Sequence, residues 1–151
     1  MTKSLQLAAL LLLNQLWASS TFALTCTVDS SVLSFGSFNP LTDNTVESTG
    51  TISVTCSESV FYTLSLSPGN SGSYSTRSMI NSGNYLEYNL FIDAGYSQIW
   101  GDGTGGSYTV NGSFPAEGTE NHTIYGIIPL FNQRDASVGV YSDTIAVTLT
   151  Y

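Results

Sequence analysis

Hydrophobic and polar residues alternate most regularly at the carboxyl end, over Gly139-Val-Tyr-Ser-Asp-Thr-Ile-Ala-Val-Thr-Leu-Thr-Tyr151. Tyr141, Asp143, Ile145, Val147, Leu149 and Tyr151 share one parity; Ser142, Thr144, Ala146, Thr148 and Thr150 share the other. A period of two is that of a β-strand, whose successive side chains point to opposite faces. Thr alternating with Ile, Val, Leu and Tyr suits a pleated, half-buried surface. The pattern predicts a strand over 139–151 with one apolar and one hydroxyl-rich face. An apolar face needs a cover. Either the strand lies within the chain's own sheet, or a neighbouring molecule supplies the missing partner.

The same period recurs upstream. Gly50-Thr-Ile-Ser-Val-Thr-Cys56 puts Ile52, Val54 and Cys56 on one face. Phe61 to Ser67 alternates likewise and is broken by Pro68-Gly69-Asn70. Tyr85 to Asp93 is the strongest internal strand, with Leu86, Tyr88, Leu90 and Ile92 sharing a face. Further strands are expected over Ser31–Phe38, ending in a turn at Asn39-Pro40, and over Tyr108–Phe114, weakened by Gly112. His122–Phe131 reads as one long strand or a strand pair, with Pro129 marking an edge, a bulge or a switch of sheets. Leu41–Ser48 reads as a loop or edge, Ser71–Gly83 as a Gly/Ser/Asn loop, Trp100–Gly106 as a glycine-rich loop and Asn132–Val138 as a turn. After residue 23 no stretch of ten residues keeps a helical period. Seven or eight short strands separated by turn signals predict an all-β sandwich in one domain, without repeat or linker.

The amino end changes the picture. Lys3, then a Leu/Ala run over Leu5–Leu13, then Thr21-Phe22-Ala23, make an export signal cleaved after Ala23, with Ala18 as second choice. The apolar run is short for a membrane span. Residues 24–151 then form the mature domain, large enough for a core of its own. It carries all 11 acidic residues against Arg77 and Arg134, a formal charge of −9. That balance argues against nucleic acid and against anionic membranes. Cys26 and Cys56 in an exported chain predict one disulfide, closing a loop of about 30 residues and contributing roughly 3–4 kcal/mol.

Catalytic chemistry is hard to find in the residues. His122 is the only histidine and reads as a solvated or hydrogen-bonded strand-end residue. No nucleophile elbow, phosphate loop or His-Glu-x-x-His occurs. Asp102 between two glycines offers one carboxylate where calcium wants six or more oxygens, so it reads as a turn. Glu117 and Glu120 read as solvated loop charges. Asn111-Gly-Ser113 and Asn121-His-Thr123 fit the short N-glycosylation pattern, which a Ser/Thr/Asn-rich chain meets by chance. The chain is expected to be no enzyme and to need no metal or cofactor.

An ordered set of short motifs carries a resemblance. It runs Cys26-Thr-Val, Phe35-Gly36 with Asn39-Pro40, Gly50–Cys56, Arg77-x-Met79 and Leu86-x-Tyr88-Asn-Leu-Phe-Ile-Asp93. It continues through Trp100-Gly-Asp-Gly103, Tyr125-Gly126 and Gly139-x-Tyr141-x-Asp143-Thr144. With these the chain resembles the spore coat protein U domain family, which includes pilin subunits of archaic (Csu-like) chaperone–usher pili. The resemblance implies an immunoglobulin-like sandwich lacking its final strand. It implies completion by donor-strand complementation, first by a periplasmic chaperone and then, through an outer-membrane usher, by a neighbouring subunit. Ile145, Val147, Leu149 and Tyr151 would border the acceptor groove. The protein would pass through the periplasm to a surface pilus and serve adhesion and biofilm formation.

The sequence departs from the family in one place: cleavage after Ala23 leaves only Leu24 and Thr25 before Cys26, too few to donate a strand. That points to a tip or minor subunit that accepts without donating. The competing reading is a self-contained secreted sandwich that binds a carbohydrate or other surface ligand through Tyr96, Trp100 and Tyr108 around the glycine-rich loop.

Overall fold

In the computed structural model residues 23–39, 41, 45–130, 133 and 136–151 are described. Residues 1–22, all but the last of the expected leader 1–23, lie outside them, as do 40, 42–44, 131–132 and 134–135. Eight strands follow in chain order: β1 Cys26–Ser30, β2 Val46–Cys56, β3 Val60–Leu66, β4 Arg77–Asn81, β5 Asn84–Phe91, β6 Val110–Phe114, β7 Gly118–Ile128 and β8 Val147–Thr150. They form a five-stranded sheet, β1-β2-β7-β5-β4, and a three-stranded sheet, β6-β3-β8, with all pairings antiparallel. This is the all-β, immunoglobulin-like sandwich, closed by a Cys26–Cys56 disulfide.

The spine is the β2–β7 ladder, in register over eleven residues from Val46↔Ile128 to Cys56↔Gly118. The period-two pattern pays off here: Ile52, Val54 and Cys56 are all 0% exposed. They share one apolar core with Leu86, Tyr88 and Leu90 of β5, in the same sheet, and Tyr62, Leu64 and Leu66 of β3, in the other. At about 25 cal/mol per Å² of apolar surface removed from water, this face supplies the main drive to fold.

Several elements differ from the sequence reading. Ser31–Phe38 is no strand. The β1–β2 ladder ends at Ser30↔Ile52, after which the Ser31 hydroxyl takes the Thr51 N–H at 2.8 Å. The segment then leaves the edge, with Gly36 at φ +70°, and lays half-buried Leu33 and Phe35 against the core. Two glycines make room for it. A Cβ at Gly126 would lie 2.9 Å from the Phe35 ring, and one at Gly50 3.4 Å from Leu33.

The Ser71–Gly83 stretch is not all loop, because it contains β4. Its strand character comes from pairing with β5, Arg77↔Tyr88 to Asn81↔Asn84, across a tight turn at Ser82 and Gly83, both at positive φ. β2 begins at Val46, inside the expected loop. β7 begins at Gly118 and stops at Ile128, one residue before Pro129, which cannot donate to a ladder. The predicted terminal strand is regular only over β8. Upstream, Ser142 makes an isolated bridge to Ile80 on the edge of the other sheet.

Candidate functional site: the open edge at β8

β8 pairs with β3 through Thr63↔Thr150 to Leu66↔Val147, and with no other strand among the described residues. It is the last strand of its sheet, so one row of its backbone groups has no ladder partner. Side-chain parity is as the pattern predicts: Tyr141, Asp143, Ile145, Val147 and Leu149 are partly buried, and the even positions 142–150 are exposed. Tyr151 is 53% exposed. Ile145, Val147 and Leu149 pack against the core without being enclosed by it. Leu33 and Phe35 of the crossing segment, and Val28 of β1, are likewise only partly buried. β1 approaches β8, yet the two share no ladder. Apolar side chains of the 31–38 segment, β1 and β8 thus meet the core without being fully covered.

Two fully buried residues link the two sheets. Trp100 is 0% exposed, its indole N–H donating to the Leu64 carbonyl at 3.4 Å and its backbone N–H to Leu90. Arg77, also 0% exposed, donates to the Trp100 carbonyl (2.6 Å), the Ser67 carbonyl (2.9 Å) and Asn89 Oδ1 (2.7 Å), and lies over the Tyr74 ring. Burial pulls its guanidinium below its ordinary pKa, and the fields of Tyr88, Tyr74 and Asp143 push the other way. A buried cation is tolerated only when its donors are satisfied. Sequence reasoning singled out Arg77 as part of a motif but not as the link between the sheets. A lone arginine in a Gly/Ser-rich run signals nothing by itself.

The three aromatic residues expected around a ligand loop do not share a surface. Trp100 belongs to the core. Tyr96, at φ +53°, packs edge-on against Phe91 in a turn held by Asp93. Tyr108 is 52% exposed and bridges to Trp100 through the backbone. Asp102 accepts the Thr104 hydroxyl and backbone N–H, which hold its carboxyl below the usual range. His122 sits beside Tyr62, whose hydroxyl donates to Glu120 at 2.6 Å and lies 2.7 Å from His122 Nε2. Glu120 is therefore a strand residue with a partner. Burial, then the Glu120 bond, drives the Tyr62 phenol far above its ordinary pKa. Among the described residues no three His, Cys, Asp or Glu side chains group as metal ligands.

The Spore Coat Protein U domain model matches residues 12–148. The chain belongs to that family. The match begins inside the expected leader and ends within β8. Fourteen chains of solved structures also resemble this spore coat U domain. One is in the crystal structure of the CsuC–CsuE chaperone–tip adhesion subunit pre-assembly complex from archaic chaperone–usher Csu pili of Acinetobacter baumannii. It is 19% identical with a TM-score of 0.59, over 85% of this chain and 40% of that one. At that identity the likeness is one of fold, and the domain spans less than half of its neighbour's length. No curated protein matches.

Proposed function

We propose that this spore coat U domain is an exported subunit of a chaperone–usher pilus. Its sandwich is completed by a strand from a periplasmic chaperone and then from a neighbouring subunit. The observation that carries this reading is the contrast at β8: alternate apolar residues face the core, only half covered, along a strand paired on one side. An added strand would pair with the free row of backbone groups and place its own alternate side chains against Ile145, Val147, Leu149, Leu33 and Phe35. The family membership and the fold shared with the Csu complex support it. The role is structural, not catalytic.

Residues 1–23 act as the leader and 24–151 as the domain. The two residues then left before Cys26 favour a tip or minor position, with adhesion as its service. Mass spectrometry of the mature amino terminus tests that part: cleavage well upstream of Ala18, leaving a long alternating segment, would remove it. The central test is expression of residues 24–151 with and without the cognate chaperone. Soluble complex with it and aggregation without it are expected. Val147→Asp should abolish the complex, since a charge would enter the apolar face unpaired. A cooperative monomer that ignores the chaperone would refute the reading.

A further inference from the structure

The ribbon that ends in β8 changes sheets within a few residues. At Ser142 it is bridged to Ile80 of β4, with the Ile80 N–H donating to the Ser142 carbonyl at 2.9 Å. At Ala146 it is bound instead to Ser67, which continues from β3: the Ser67 N–H donates to the Ala146 carbonyl and the Ala146 N–H to the Ser67 hydroxyl, both at 2.9 Å. Asp143 sits at the crossing. Its Oδ1 accepts the N–H groups of Asn70 (2.9 Å) and Thr144 (2.7 Å), and its Oδ2 accepts the hydroxyl of Tyr88 at 2.7 Å.

Both anchor points are themselves fixed. Tyr88 is 5% exposed in the core of β5. The Ser67 carbonyl is held by buried Arg77. The turn at Gly69 is shaped for the carboxylate: the residue has φ +69°, and any Cβ there would collide with Asp143 Oδ2. Burial, and next the bond to Asp143, raise the Tyr88 phenol well beyond its ordinary range, so the hydroxyl remains a donor.

Resting on the strand-acceptor reading, we propose that Asp143 is a positioning residue for the acceptor edge. It fixes where the ribbon crosses between sheets, and hence the register that turns Ile145, Val147 and Leu149 inward before any partner strand arrives. The reason is the period of the strand. A slip of one residue against β3 would turn Thr144, Thr148 and Thr150 to the core and all three apolar residues to solvent. A short edge strand paired over four residues holds its register weakly, and a charged clamp at its upstream end supplies what the ladder lacks.

Amide exchange tests this on the chain in the soluble form in which it purifies, alone or with its chaperone. Asp143→Ala should speed exchange about tenfold or more at Ala146–Thr150, beyond the local loss at Asn70 and Thr144, and leave the β2–β7 ladder unchanged. Asp143→Asn, which keeps an acceptor for both N–H groups, should restore most of the protection. Tyr88→Phe should give a smaller rise confined to the ribbon. Faster exchange at Asn70 and Thr144 alone would overturn the proposal. So would equal loosening of β2 and β7, or an Asp143→Asn variant no better than Asp143→Ala. A wild-type chain that takes no chaperone, while its variants still loosen only the ribbon, would sink the pilus reading and leave the clamp standing.

Discussion

β2 and the carboxyl-terminal ribbon carry the same sequence signature and meet opposite fates. In β2, Ile52, Val54 and Cys56 are wholly enclosed. In the ribbon, Ile145, Val147 and Leu149 follow the same alternation and remain partly open. The difference is not hydrophobicity, since the side chains are alike. It is the number of neighbours. β2 lies between β1 and β7, whereas among the described residues β8 has β3 on one side only. Periodicity states which residues share a face. Whether that face is covered depends on strands elsewhere in the chain, or in another chain.

Arg77 gives the largest way to break the comparison, because it ties Trp100 in the enclosed core to Ser67, to which the ribbon is bound. Arg77→Leu leaves the Ser67 and Trp100 carbonyls and Asn89 Oδ1 without their donor in a dry site. A loss of about 3–5 kcal/mol is expected. It would appear as a lower denaturation midpoint, or as failure to fold where total stability is only about 5–15 kcal/mol. Arg77→Lys should not rescue it, since one ammonium cannot reproduce the planar fork. A midpoint within error of wild type would mean that the link between the sheets does not depend on this residue.

Second in size is the staple. Cys26 and Cys56 face each other across β1 and β2, thirty residues apart in sequence. Cys26→Ser with Cys56→Ser should cost about 2–5 kcal/mol and lower the yield of exported protein. Its effect on amide exchange should be largest in β1 and β2, which it joins. If amide exchange in β8 rises as much as in β1, the two regions are not separate.

A matched pair of truncations tests the comparison directly. Ile52→Ala removes enclosed atoms and should cost about 2–5 kcal/mol. Val147→Ala removes atoms already half in water and should cost about 1 kcal/mol or less in the free chain. Once a partner strand covers β8, the second cost should rise, read as faster dissociation of the complex. Equal costs in the free chain would mean that β8 is not an open edge.

Much of this fold is legible in the residues. β2, β3, β5 and the inward parity of the ribbon follow from alternation, and turns follow from Pro68-Gly69-Asn70. What is not legible depends on residues far apart. β4 is polar enough to pass for loop and is a strand only because β5 lies beside it. Ser31–Phe38 alternates but joins no ladder; it crosses over the spaces at Gly50 and Gly126. Trp100, next to a glycine-rich loop, looked available to a ligand. Its backbone follows the loop while its ring enters the core. Of the candidate site, the parity of Ile145, Val147 and Leu149 could be read directly. Their partial cover and the Asp143 clamp could not, because Asn70 and Tyr88 lie 73 and 55 positions away.

The smallest effect concerns Asp93, in the turn after β5. The Gln98 N–H, then the hydroxyl and N–H of Ser97, hold its carboxyl below the ordinary range. The sign follows from linkage. A carboxylate favoured in the folded state adds stability above its unfolded pKa, and that stability is lost as pH falls through the lowered folded value. The 93–98 turn should therefore loosen only in acid, below the pH at which ordinary exposed carboxylates have already titrated. Amide chemical shifts of Ser97 and Gln98 should follow that late transition in wild type and be flat in Asp93→Asn, which keeps an acceptor oxygen but cannot change charge. Tyr96, held at positive φ against Phe91, should report the same transition through its ring shifts. The ribbon at 145–150 should not respond, since Asp93 acts on the turn between β5 and Trp100. A ribbon that moves with this turn would mean that the turn and the open edge are coupled.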